Sequence, residues 1–240
     1  MDSSNSTSVR EKNELPYPVV ASAWDTSQTD SECVGTAHIV VVGDLGVGKT
    51  SILLRFMENR FISDHEPTIG VDFREKVVEC DAVAVNVVLV DTAGQERYYA
   101  LTKSFYRSAS GVMLVFDQSC EESFSHIPDW LQRTREASFV ADLPCLLIGN
   151  KADLPDEQRV ISHERAEKLA KTLGLSYVET SAATGDGIVP SILWLVRDVL
   201  RSMPTGDGLD DVDTKLLAGM PTRGKPKRPD NQYSWRTCSC

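Results

Sequence analysis

The chain has 240 residues, 41% hydrophobic and 25% charged, with a formal net charge of −10. That composition suits one globular α/β domain with polar ends, and it excludes a general nucleic-acid binder, which needs a basic face. No stretch approaches the ~20 apolar residues of a membrane span, and "MDSSNSTSVREKNELPYP" lacks the apolar region of a secretory leader.

Residues 1–36 are rich in Ser, Thr, Asn and Asp without a sustained period, and are expected to form a disordered extension. "HIVVVG" (38–43) opens an ordered domain over 37–202 as a strand buried on both faces, and "SILLRFME" then reads as a helix. Segments 70–80 and 82–91 predict an antiparallel hairpin around a tight polar turn, with a helical pattern after Gln95. "GVMLVFD" (111–117) and "PCLLIGN" (144–150) are short buried strands. The 121–139 segment between them reads as a helix in which Pro128 either introduces a distortion or sits near the start. Ser162 caps a helix that carries Glu164 in its first turn and stops at Gly174. "LSYVET" is the last strand. The helix over 188–200 gathers Ile188, Ile192, Leu195, Val196 and Val199 on one side. Alternating strands and helices predict an α/β fold with a mostly parallel sheet covered on both faces. Residues 203–240 are expected to form a flexible tail.

Gly43, Asp44, Leu45, Gly46, Val47, Gly48, Lys49 and Thr50 spell G-x-x-x-x-G-K-T between a strand and a helix, with Ser51 next. Backbone N–H groups in such a loop converge on phosphates, helped by the positive end of the helix. Lys49 can then reach the β- and γ-phosphates and Thr50 can ligate Mg²⁺. "NKAD" follows the 144–149 strand: Asp153 can accept from both N1–H and the N2 amino group of guanine, Asn150 can hold N7, and the Lys151 stem can cover the ring. "ETSA" would offer backbone N–H groups of Ser181 and Ala182 to O6. In "DTAGQE", Asp91 can bind Mg²⁺ through a water, Gly94 can donate to the γ-phosphate and Gln95 can orient the attacking water. Thr68 of "PTIG" supplies a second hydroxyl for the metal. Contacts made only with the third phosphate would order both loops. The four histidines (38, 65, 126, 163) are scattered and read as surface or core residues, and Trp130 and Trp194 as packing residues.

These motifs resemble those of the Ras-like small GTPases over about residues 37–202. Within that superfamily "IGVDF" (69–73), "DTAGQERYY" (91–99), "FYRSASGVMLVFD" (105–117) and "DWL" (129–131) resemble the Rab family. The resemblance implies a P-loop NTPase fold of six strands, mostly parallel, with about five flanking helices. Phe61 would sit at an edge of the guanine. The implied activity is a GTP/GDP switch with slow intrinsic hydrolysis, on the order of 10⁻⁴–10⁻³ s⁻¹. In it Gln95, Lys49 and Thr68 are the catalytic set, and Thr50, Thr68 and Asp91 serve Mg²⁺. The implied partners are an exchange factor, a GTPase-activating protein, a dissociation inhibitor, an escort protein, and effectors engaging about 62–73 and 92–107. The chain would act in vesicle traffic on the cytoplasmic face of an intracellular membrane and cycle through a cytosolic pool.

Three positions depart from the pattern. Leu45 stands where most Rabs carry Ser, beside the γ-phosphate, and is expected to slow hydrolysis. Val90 replaces a Trp of the effector surface, and Ala183 replaces the Lys of "SAK". The competing readings are a platform that holds GTP almost permanently, suggested by Leu45, and an ATP-using P-loop enzyme, which "NKAD" disfavours. The ending "TCSC" lacks a C-a-a-X box, since Thr237 stands fourth from the end. It resembles the Rab signal for geranylgeranylation of Cys238 and Cys240, with Arg223, Lys225, Lys227 and Arg228 supporting the anchor.

Overall fold

In a computed structural model of the chain, the residues described are 35–63, 68, 70–81, 83–92 and 104–202. Six strands form one sheet: β1 (Thr36–Val42), β2 (Val71–Cys80), β3 (Val83–Thr92), β4 (Gly111–Asp117), β5 (Cys145–Asn150) and β6 (Ser176–Glu179). Their order is β2-β3-β1-β4-β5-β6. Only β2 and β3 are antiparallel, paired from Val71↔Thr92 to Cys80↔Val83, with Asp81 at φ 52° in the connecting turn. The expected mostly parallel six-stranded sheet is therefore observed.

The apolar runs of β1, β4 and β5 serve two cores at once. Ile39, Val41, Met113, Val115, Leu146 and Ile148 face one cluster. Val40, Val42, Val112, Leu114, Phe116 and Leu147 face the other. This period-2 division is what an unbroken hydrophobic strand signifies when both faces are covered. Helices α1 (Lys49–Glu58) and α5 (Ile188–Ser202) close the first cluster, and α5 buries the stripe from Ile188 to Val199 read from its sequence. Helices α2 (Glu121–Ser125), α3 (Ile127–Ala137) and α4 (His163–Leu173) cover the second face.

The 121–139 segment is two helices rather than one. Pro128 falls in the first turn of α3, where its missing N–H costs nothing, and His126 both ends α2 and precedes α3. Helix α4 starts as expected, with the Ser162 hydroxyl accepting from Arg165 N–H at 3.3 Å, and stops at Gly174 in the left-handed region. Residues 104–107 are also helical. The helical pattern expected just after Gln95 lies outside the described residues, as do the 1–34 and 203–240 segments. No helix among the described residues is long and apolar enough to cross a membrane.

Parallel strands bring their carboxyl ends to one edge of the sheet, and the chain leaves β1 with β3 on one side and β4 on the other. A crevice opens at such a reversal of strand order, and the loops after β1, β5 and β6 meet there.

Candidate functional site: a nucleotide cleft at the carboxyl edge of the sheet

The crevice is a cleft of about 430 Å³. Leu45, Gly46, Gly48, Lys49, Thr50, Ser51 and Thr68 line one end, and Phe61, Asn150, Lys151, Asp153 and Ala182 the other. That size suits a small-molecule ligand.

Two glycines let the phosphate loop close. Gly43 has φ 143°, and a Cβ there would stand 2.1 Å from the Val115 carbonyl oxygen. Gly48 has φ 95°, and its Cβ would stand 2.3 Å from Asn150 Nδ2. No other residue type fits either place. Gly48 is also the cap of α1, so the first N–H groups of that helix face the cleft end formed by Lys49, Thr50 and Ser51. The buried Lys49 ammonium donates to the carbonyls of Gly43 (3.0 Å) and Asp44 (2.8 Å), which leaves one of its three protons for an incoming oxygen. Burial lowers its pKa to about 8, although Asp91 and Asp44 pull the other way. An anion beside it would restore a secure positive charge.

Thr50, Thr68 and Asp91 converge from three elements. Asp91 Oδ2 accepts from Thr50 Oγ1 at 2.6 Å and Thr68 Oγ1 at 3.3 Å, and the two hydroxyls are 2.8 Å apart. Asp91 Oδ1 is buried with no hydrogen-bond partner. Burial raises the Asp91 pKa, opposed by the Thr50 hydrogen bond, Lys49 and Thr68. An orphaned carboxylate oxygen beside two hydroxyls is a set of hard oxygen donors, and these residues fit a Mg²⁺ ion. Among the described residues no group of three or more His, Cys, Asp or Glu side chains is placed to hold a metal ion, and this donor set consists of two hydroxyls and one carboxylate.

At the other end, Asn150 is buried and ties three loops together. Its Nδ2 donates to the Val47 carbonyl (2.9 Å), and its Oδ1 accepts from Thr180 Oγ1 (3.3 Å) and the Ala182 N–H (3.2 Å). The second Nδ2 proton remains for a base acceptor. The Ser181 N–H is committed to the Asp186 carbonyl at 2.9 Å, and a base reaching the Ala182 N–H would share it with Asn150. Ser181 Oγ donates to Asp153 Oδ1 at 2.6 Å, which fixes the carboxylate. Lys151 stands at φ 66° with its ammonium 2.6 Å from the buried Asp117, so its stem is held over the cleft. Phe61 is 44% exposed at the rim.

Several supporting residues escaped the sequence reading. Asp117, at the end of β4, pins Lys151. Arg55 of α1 donates to the carbonyls of Ala182 (2.9 Å) and Ala183 (2.6 Å), holding the base loop from below. Trp130 is buried as expected of a packing residue, but its Nε1 also donates to Asp44 Oδ1 at 2.7 Å. His126 Nδ1 meets Asp44 Oδ2 at 2.7 Å. Only the acid at the end of a buried strand had a local signal. Val90, in place of Trp, is buried against the second core, and Phe73, its partner across β2–β3, packs edge-on to Phe105 at 5.0 Å. Gly94, Gln95, Cys238 and Cys240 lie outside the described residues.

A glycine-rich phosphate loop, a hydroxyl–carboxylate cluster and an Asn–Asp pair at the carboxyl edge of one mostly parallel sheet define the α/β P-loop GTPase fold. A model of the Ras family matches residues 38–201, and the chain belongs to that family. It is 41% identical over 207 residues to mouse Ras-related protein Rab-15, covering 85% of this chain and 96% of the relative. The human Rab-15 match has the same identity and coverage. Bovine Ras-related protein Rab-8A is 38% identical over 197 residues, covering 81% of this chain and 90% of the relative. These relatives make it a small GTPase of the Rab kind, and members of the family are GTP hydrolases.

Proposed function

We propose that the chain is a Rab-like GTP/GDP switch that recruits effectors to an endomembrane and regulates vesicle traffic. The observation that carries the site is the Thr50–Thr68–Asp91 cluster beside Lys49, its carboxylate buried and its two hydroxyls partly so, continuous with the Asn150–Asp153 base site in one cleft. Asp153 selects guanine because one carboxylate accepts from two adjacent donors that adenine lacks. Lys49 neutralises the β- and γ-phosphates, and the loop N–H groups from Gly43 to Ser51 cradle them. Thr50, Thr68 and (through a water) Asp91 hold Mg²⁺, which when bound supplies charge neutralisation across the phosphates. Gln95 orients the attacking water and Gly94 donates to the γ-phosphate. Thr68 senses that phosphate, so its loop is ordered with GTP and released with GDP.

The partners of this reading are an exchange factor, a GTPase-activating protein, a dissociation inhibitor, an escort protein and effectors. Residues 37–202 form the switch, and 203–240 tether it through geranylgeranyl groups on Cys238 and Cys240. Two chains anchor stably where one is marginal. The relatives named above support this reading at the level of the family, and "CSC" with its basic neighbours supports the anchor.

Three measurements test it. Protein purified without added nucleotide should carry mostly GDP; mostly GTP favours the permanently loaded platform that Leu45, half exposed in the cleft, suggests. Gln95→Leu should slow single-turnover hydrolysis roughly tenfold or more, as loss of a water-positioning group does. A Cys238/Cys240 double-Ser variant should lose both lipid masses and its membrane location in a eukaryotic host. An unmodified wild-type C-terminus overturns the anchor.

A further inference from the structure

Asp44 belongs to the phosphate loop, yet its side chain does not line the cleft. Both carboxylate oxygens are taken by the helices beyond β4: Oδ2 by His126 Nδ1 and Oδ1 by Trp130 Nε1, each at 2.7 Å. The Asp44 backbone carbonyl meanwhile accepts from the Lys49 ammonium at 2.8 Å. A short path therefore runs from the His126 ring through Asp44 to the lysine that meets phosphate. His126 is itself fixed from both sides, since its N–H donates to the Glu122 carbonyl and its own carbonyl accepts from Trp130 N–H. Trp130 is buried and carries the Arg133 guanidinium on its ring. The ring of His126 is 44% exposed, so protons reach it.

We propose that His126 is a positioning residue of the phosphate loop, whose protonated ring holds the Asp44 carboxylate and slows nucleotide release. The proposal rests on the guanine-nucleotide reading of the cleft. A protonated imidazole makes a charge-assisted bond to a carboxylate, whereas a neutral ring donates more weakly from the same nitrogen. Among the described residues the charged groups acting on the ring are acidic: Asp44 from the phosphate loop, Glu122 from α2 and Asp129 from α3. The Asp44 hydrogen bond raises the pKa of His126 above its ordinary value, with the two further acids adding and burial opposing. The raised value sets the sign. The tie is fully charged below the ordinary pKa of about 6.5 and weakens as pH rises through the raised value. Release is then slow in mild acid and faster in mild alkali. Asn150 holds the other end of the loop by neutral groups and adds no pH dependence in this range.

The test is release of N-methylanthraniloyl-GDP from the full chain at constant Mg²⁺, from about pH 5.5 to 8.5, in wild type, His126→Gln and His126→Arg. The nucleotide's own phosphate titrates in every sample, so the readout is the ratio of variant to wild-type rate. For His126→Gln, a neutral donor at every pH, the ratio should fall from roughly two- to fivefold in acid to near one in alkali, the size of a half-exposed charged hydrogen bond. For His126→Arg, a permanent cation, it should run the other way, from near one in acid to below one in alkali. A ratio independent of pH in both variants overturns the proposal, since a merely structural role would shift all rates alike. Failure of every sample to bind the fluorescent GDP overturns the reading of the cleft and the inference with it.

Discussion

The phosphate loop is tied down at both ends, and the two ties are built from opposite materials. At its start, Asp44 is held by His126 and Trp130 through a carboxylate that remains 23% exposed, one partner being titratable and itself near the surface. At its end, the Val47 carbonyl is held by the fully buried, uncharged Asn150, which also gathers Thr180 and Ala182. A buried neutral amide with three bonded partners is expensive to disturb, because each abandoned group stays dry. A half-exposed ion pair is worth less and varies with pH and salt. Fixing the loop is therefore the work of its end; adjusting it is the work of its start.

The largest effect should come from the buried tie. Asn150→Ala strands the Val47 carbonyl and the Thr180 hydroxyl and removes the amide that the proposed function sets against the base. At about 1–3 kcal/mol for each stranded group, GDP affinity should fall on the order of a hundredfold or more. Equilibrium titration with fluorescent GDP measures this, and a loss under threefold would break the distinction between the two ties. Gly48→Ala attacks the same contact by crowding, since its Cβ would occupy the place of Asn150 Nδ2 and φ 95° strains any side chain. It should rank with Asn150→Ala in lost affinity.

How much of this was legible follows from how local each cause is. The glycine loop, Lys49 and Thr50 are contiguous, and their strand-then-helix setting could be read from hydrophobic runs alone. The Ser162 cap and the Gly174 stop are one-residue signals, and both appear in α4. Pro128 announced a break but not its form; the two-helix solution depends on His126 serving both helices. The ties from His126 and Trp130 to Asp44 span 82 and 86 residues, and that from Arg55 to Ala182 spans 127. No periodicity encodes such pairs, because the sheet order brings them together. Trp130 shows the limit most clearly: its apolar body predicts burial, while the partner of its one polar atom is set by the fold.

Intermediate effects should come from supports around the buried tie. Arg55→Ala frees the carbonyls of Ala182 and Ala183 from their guanidinium clamp. The loop keeps the Ser181–Asp153 and Ala182–Asn150 bonds, so GDP release should quicken only about three- to tenfold, the worth of roughly one ordinary hydrogen bond. Unchanged release in a stopped-flow measurement would show that the loop is held from above alone. The start of the loop should respond less than its end. Trp130→Phe keeps the buried ring but removes one of two donors to Asp44, and should quicken release by roughly two- to fivefold. A hundredfold change there would reverse the ranking of the two ties.

The smallest effect on binding should come from the residue between the ties. Leu45 is 50% exposed, lines the cleft and takes part in neither the Asp44 nor the Val47 anchor. Leu45→Ser should therefore leave GDP affinity within about twofold, in keeping with surface changes away from buried features. Its effect belongs to the chemical step. Under the proposed function, a branched apolar side chain at the phosphate end of the cleft competes for space with the reacting γ-phosphate and the groups that would act on it, and catalysis of phosphoryl transfer is almost entirely positioning and charge. Replacing it with a small hydroxyl should speed single-turnover GTP hydrolysis, intrinsic and activator-stimulated alike, by several-fold at unchanged affinity. Equal hydrolysis rates for the two proteins would mean that Leu45 is as indifferent to the reaction as it is to the anchors. A large loss of affinity would instead mean that the side chain braces the loop, and that its two ends do not account for how it is held.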